Sequence, residues 1–101
     1  MNNYKTYATD TFREIYSTLD KSEQNWIDKT KKKLAESPTG KILQFEWFRE
    51  KKYLNKRLFF LIDEQTKKIL FVSFASKKAQ QEVINFVISN KSELFNYVRN
   101  L

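Results

Sequence analysis

The chain has 101 residues, 41% hydrophobic and 16% aromatic, with a formal charge of +7; this points to one domain spanning 1–101 and excludes an intrinsically disordered chain. It contains no cysteine and no histidine, which excludes disulfides, thiolate metal sites, Ser-His-Asp and Cys-His nucleophiles and most zinc centres. Any catalysis then runs on Lys, Arg, Tyr, Asp or Glu with no metal and no cofactor, and one Gly and one Pro leave little room for a Gly-rich phosphate loop.

The opening stretch MNNYKTYATD lacks the apolar run of a signal peptide, and no window reaches the length of a membrane span. The expectation is a cytoplasmic protein without a membrane partner. Residues 3 to 8 alternate as a short strand, and Thr9 or Asp10 is placed to cap a helix. Phe12, Ile15, Tyr16 and Leu19 then fall at i, i+3, i+4 and i+7, an apolar stripe on a helix ending near Asp20. A second helix is expected from about Ser22 to Ser37, with Trp26, Ile27, Thr30 and Leu34 inward and Pro38 as its stop. Its Lys29 and Lys31 to Lys33 read as a solvated outer face. Joined by one or two residues, the two helices form an αα-hairpin whose shared apolar face must cover something flat.

The flat partner is a β-meander with strands at 42 to 53, 57 to 63 and 68 to 76, joined by turns short enough to force antiparallel pairing. RLFFLID and KILFVSFAS are apolar on both alternating faces, so both strands are central and covered on both sides. Ala79, Val83, Phe86 and Val87, then Leu94, Phe95 and Val98 after a break at Ser89-Asn90, supply C-terminal helices for the second face. The fold class is α+β: a strand and helical hairpin packed on an antiparallel meander, followed by C-terminal helices. Along 42 to 53, Phe45, Trp47, Arg49, Lys51 and Tyr53 share one face, and Glu46, Phe48, Glu50 and Lys52 the other.

Charge is unevenly distributed. Residues 38 to 78 hold ten Lys/Arg against four Asp/Glu, whereas the flanking segments are nearly balanced. Arg49, Lys51, Lys52, Lys56 and Arg57 surround one short turn. They are either the charged edge of a hairpin protected against association or a platform for a polyanion such as nucleic acid. Antiparallel pairing brings Arg57 beside the end of the following strand, where Lys77 and Lys78 precede Gln80 and Gln81, and beside Lys51 and Lys52. Clustered cations disfavour one another's protonated form, which is how a lysine comes to act as a general base, while an arginine stabilises charge on a scissile phosphate. That set suffices for metal-free RNA cleavage by the neighbouring 2′-hydroxyl.

The order of elements and the stretches FREKKYLNKRLFFLID and SFASKKAQQEV resemble the RelE/ParE superfamily of toxin-antitoxin toxins over roughly residues 3 to 90. The likeness rests on Arg57 opening the middle strand after a turn, on Lys77 or Lys78 after the last strand, and on Arg49, Lys51 and Lys52 on the strand before. It implies a RelE-like fold and a ribosome-dependent mRNA endonuclease silenced by a cognate antitoxin, with mRNA and the ribosome as partners. On that reading Arg57 binds phosphate, a Lys among Lys51, Lys52, Lys77 and Lys78 is the base, and Arg49, Lys56, Gln80 and Gln81 contact RNA. RelE-type nucleases often carry a Tyr in the C-terminal helix, and EVINFVISN has none; gyrase-poisoning or merely nucleic-acid-binding members are the alternative. An antitoxin is expected to fill an exposed apolar groove lined by Phe48, Leu54, Phe59 and Phe95.

Overall fold

The computed structural model describes residues 3–101; Met1 and Asn2, the first residues of the stretch read for a signal peptide, lie outside them. A short strand β1 (Lys5–Ala8) leads into α1 (Asp10–Ser17), which Thr9 caps by accepting the Phe12 N–H at 3.0 Å. The helix ends earlier than its apolar stripe predicted, and Leu19 packs from the connection. Helix α2 (Lys21–Glu36) starts one residue before Ser22, because its cap is Asp20. The Asp20 carboxylate accepts the Glu23 N–H and the Glu23 side chain accepts the Asp20 N–H, satisfying two otherwise orphaned donors. At the far end Ser37 is extended, as a residue before proline is constrained to be.

The segment expected as one strand from 42 to 53 is two. Gln44 has a φ of 66°, which turns the chain, and β2 (Lys41–Leu43) folds back as an antiparallel edge on β3 (Phe45–Tyr53). Strand β4 (Lys56–Asp63) and strand β5 (Lys68–Ser76) complete the meander, and the sheet order is β1-β5-β4-β3-β2. The first strand pairs parallel with β5, so the helical hairpin and the meander form the long connection that a parallel pair requires.

Strand β4 lies at the centre and every residue from Arg57 to Asp63 is buried. Its Leu58, Phe60 and Ile62 meet Phe12, Ile27 and Leu34 of the helical hairpin on one face. Its Phe59 and Leu61 meet α3 (Gln80–Ser89) and α4 (Lys91–Arg99) on the other, through Ile84, Val87, Leu94 and Val98. The break between these last helices falls at Asn90, within the expected Ser89-Asn90. Between Phe59 and Phe60 the pairing with β5 slips by one residue, so Phe59 faces Ser73 and Phe60 faces Phe71. That bulge resets the alternation of β5 and sets Ala75 opposite Arg57.

Helix α4 is tied to the end of the sheet away from Arg57. Arg99 donates to both oxygens of buried Asp63 at 3.0 and 3.1 Å, and the Lys68 ammonium donates to the carbonyls of Val98, Arg99 and Leu101. Burial pushes the Asp63 carboxyl up, but the hydrogen bonds from Arg99 and Thr66 and the Arg99 charge outweigh it and hold the group below the usual carboxylate range. No helix among the described residues is long and apolar enough to cross a membrane.

Candidate nucleic-acid interface

The end of the sheet left open by α4 is where the three cationic segments meet. Lys52, Arg57 and Ala75 stand abreast on β3, β4 and β5, and Tyr53, Lys56 and Ser76 form the next rung. The chain leaves Ser76 into a 3-10 turn, Lys77–Ala79, which exposes Lys77 and Lys78 before α3 begins. Pairing brings the three segments to one end of the sheet, but Lys77 and Lys78 are not among the residues that line the cleft there.

Within it Arg57 is the fixed member, 9% exposed. Its Nη1 donates to the Lys56 carbonyl at 3.2 Å, and its Nε lies 3.8 Å from Oε2 of Glu50. The other Glu50 oxygen, Oε1, accepts from Nε2 of Gln80 at 2.8 Å. Glu50 therefore holds the guanidinium and the first residue of α3 at once, and it is itself 6% exposed. Sequence reading placed Glu50 on the face of Lys52 without giving it a role. The signal was there: Glu50 pairs with Phe59 and Lys52 with Arg57, so Glu50 and Arg57 are diagonal neighbours on one face. Nη2 of Arg57 makes no hydrogen bond among the described residues.

Beside this group Gly40, Lys41, Lys51 and Lys52 close a cleft of about 340 Å³ with Glu50 and Arg57. Gly40 is required there. Its φ is +124°, and a Cβ at this position would lie 2.9 Å from the Glu50 carbonyl and 3.1 Å from the Phe60 ring. Among the described residues that line the cleft, Glu50 is the one carboxylate, and it is committed to Arg57 and Gln80.

Not every expected contact residue joins the cleft. Lys56 turns to the other face, where its ammonium meets Glu23 at 2.6 Å and lies 5.4 Å from the centre of the Phe74 ring. Arg49 donates through Nε to the Glu46 carbonyl at 2.7 Å. Gln81 is exposed and donates to Asn85 one turn along α3, leaving Gln80 as the amide that reaches the site. Tyr97 reaches the carbonyl of Ala8, and Tyr53 packs on Trp26 in the helical-hairpin core. The apolar groove is corrected outright: Phe48 and Phe59 are 0% exposed and Phe95 is 8%, because α3 and α4 together cover that face, and only Leu54 of the four lies open.

No protein-family model matches the sequence, and no curated protein matches it significantly. Solved structures do. A mutant of the E. coli toxin RelE in the free state superposes with a TM-score of 0.70 at 14% identity, over 78% of this chain and 88% of that one. The chain has the RelE fold. The strand, helical hairpin, meander and C-terminal helices expected from the sequence are those of that fold. A chain of the RelBE2 toxin-antitoxin complex from Mycobacterium tuberculosis shares the RelE fold at a TM-score of 0.65 and 19% identity, over 74% of this chain and 99% of that one. A chain of the archaeal RelE-RelB complex from Pyrococcus horikoshii does so at 0.56 and 12%, over 76% and 97%.

Proposed function

We propose that this protein is the toxin of a toxin-antitoxin pair, a cytoplasmic ribosome-dependent mRNA endonuclease that arrests translation. The observation that carries the reading is the alignment of Lys52, Arg57 and the Ser76–Lys78 turn at the open end of a RelE fold, with Arg57 pre-oriented by Glu50. In this reading the 2′-oxygen attacks the adjacent phosphorus and the P–O5′ bond breaks, giving a cyclic 2′,3′-phosphate and a 5′-hydroxyl. A lysine among Lys51, Lys52, Lys77 and Lys78 takes the 2′-hydroxyl proton, and the leaving oxygen is protonated from solvent. Arg57 donates through Nη2 to the phosphate oxygens as charge builds on them. Among the expected RNA contacts, Gln80 donates to Glu50 beside Arg57, whereas Gln81 donates to Asn85 along α3. A cognate antitoxin, of the kind seen in RelB complexes among the structural neighbours, silences it, and an acidic segment of that partner suits the cationic end.

The test is induction in cells lacking the antitoxin, with mRNA ends mapped on stalled ribosomes. Growth arrest with cleaved transcripts, abolished by Arg57→Ala, supports the reading; unperturbed growth with intact transcripts overturns it. One feature favours a second reading. Arg57 already has an internal counter-anion, and no tyrosine is among the described residues lining the cleft. A non-catalytic nucleic-acid binder, or a gyrase-targeting toxin, fits that feature. It predicts arrest without transcript cleavage, or salt-dependent RNA binding that Arg57→Ala weakens with no cleavage to lose.

A further inference from the structure

A hollow of about 570 Å³ lies away from the Arg57 cleft, between the start of β3, the β4–β5 turn and one flank of α4. Trp47 forms one wall, and Gln65, Lys91, Ser92, Asn96 and Arg99 contribute polar side chains. Trp47 is held in place: Phe45 stacks on it with centroids 5.1 Å apart and planes 10° apart, and Phe95 meets its edge at 5.4 Å. Phe45 is nevertheless 42% exposed, so a rigid aromatic pair stands at the surface.

The hollow is lined by two carboxylates, Asp63 and Glu64, and two cations, Lys91 and Arg99, but they do not all pair with one another. Asp63 is answered by Arg99, and Glu64 accepts from Tyr4 and Lys67. Lys91 has no carboxylate partner among the described residues, and its ammonium lies 4.9 Å from the centre of the Trp47 ring. A lysine opening a helix also opposes the helix dipole, so helix stability does not account for it. A flat aromatic wall, amide and hydroxyl groups around it and one spare cation are the complement of a nucleotide, whose base stacks and whose phosphate carries the charge.

We infer that this hollow is a second RNA-contact site, in which a single-stranded base stacks on Trp47 and the Lys91 ammonium moves from the ring to the adjoining phosphate. Gln65, Ser92 and Asn96 offer hydrogen bonds to the base edge. The inference rests on the RNA-binding reading of the Arg57 cleft and extends it. Trp47 and Lys52 lie on one strand, roughly 16 Å apart at about 3.3 Å per residue.

The experiment is a fluorescence titration of the full chain with a short single-stranded oligoadenylate. Trp47 and Trp26 are the two tryptophans, and Trp26 is packed between Tyr53 and Phe74, so quenching by stacking reports on Trp47. Saturable quenching that disappears in Trp47→Phe is expected. Trp47→Ala should weaken binding about 5- to 150-fold, and Lys91→Gln, an exposed change that leaves the fold intact, should weaken it and make its salt dependence shallower by about one phosphate contact. Oligonucleotide binding without Trp47 quenching and unaltered by Lys91→Gln overturns the inference, and a concurrent loss in Arg57→Ala then shows that the cleft reading survives it. No binding of the oligonucleotide at all overturns it too, while transcript mapping in cells decides the nuclease reading separately.

Discussion

Replacing Glu50 by Gln removes the charge that Arg57 faces while keeping an acceptor for Gln80. Two unit charges 3.8 Å apart attract by about 4 kcal/mol at an effective dielectric constant near 20, and desolvation of both groups offsets much of that. The cost of removing one partner is larger than the net value of the pair, because it strands the other charge. Both side chains are nearly buried, 11% and 6% exposed, so solvent compensates the guanidinium only in part. A loss of about 3 kcal/mol, the lower end for a broken buried pair, is expected, equivalent to roughly 12–24 °C in melting temperature for a domain of this size. Urea denaturation of Glu50→Gln, Arg57→Met and the double variant closes a double-mutant cycle, with a coupling of about 2 kcal/mol or more expected between the two sites. Inorganic phosphate should stabilise Glu50→Gln more than the parent, since an anion then replaces the missing carboxylate. A Glu50→Gln variant within about 0.5 kcal/mol of the parent, the range of ordinary surface substitutions, would refute the account of Arg57 as a guanidinium locked by Glu50.

Gly40→Ala should destabilise by about 1–3 kcal/mol in the same denaturation assay, because φ is +124° and the new methyl meets the Glu50 carbonyl at 2.9 Å. Leu54 is 74% exposed with a φ of 54°, a conformation asparagine accepts more readily, so Leu54→Asn should stabilise by about 0.5–1 kcal/mol; no gain in denaturation midpoint would sink that argument. Arg99→Met should cost about 1.5–3 kcal/mol at neutral pH by stranding Asp63. The Asp63 carboxyl is depressed in the folded chain, so its contribution is full above the unfolded value of about 3.9 and fades as pH falls through the folded one. The difference between parent and Arg99→Met should therefore narrow on acidification, and a difference that is independent of pH would count against it.

Which of this was legible in the sequence depended on whether the signal was local. The stripe of Phe12, Ile15, Tyr16 and Leu19 and the two-faced apolar runs of β4 and β5 specify burial by themselves, and pairing direction then brings Arg57 to Lys52 and Ser76. The turn at Gln44 carried no such mark: KILQF reads as continuous strand, and the positive φ is borne by a residue with no special preference for it. The cap of α2 was legible, since Asp20 and Glu23 have capping-box spacing, which sets the helix start one residue ahead of the expected Ser22. The burial of Phe48, Phe59 and Phe95 depends on how far α3 and α4 reach across the sheet, which their own periodicity does not say.

Lys56 and Arg57 show why composition alone misplaces a site. They are adjacent in a basic cluster, yet strand alternation sends Lys56 to Glu23 and the helical hairpin, and Arg57 to Glu50 and α3. Alternation also sorts their neighbours: Lys52 shares the Arg57 face, and the bulge opposite Phe59 and Phe60 sets Ala75 across from Arg57, just before the Lys77 turn. A one-residue slip of β4 against β3 would exchange the two cations and place Lys56 in the cleft. What holds the register is the apolar set behind them, with Leu58 and Phe60 against the hairpin and Phe59 and Leu61 against the C-terminal helices. The core of β4 thus decides which cation lines the cleft, and Glu50, reaching Arg57 diagonally from β3, fixes how that cation is held.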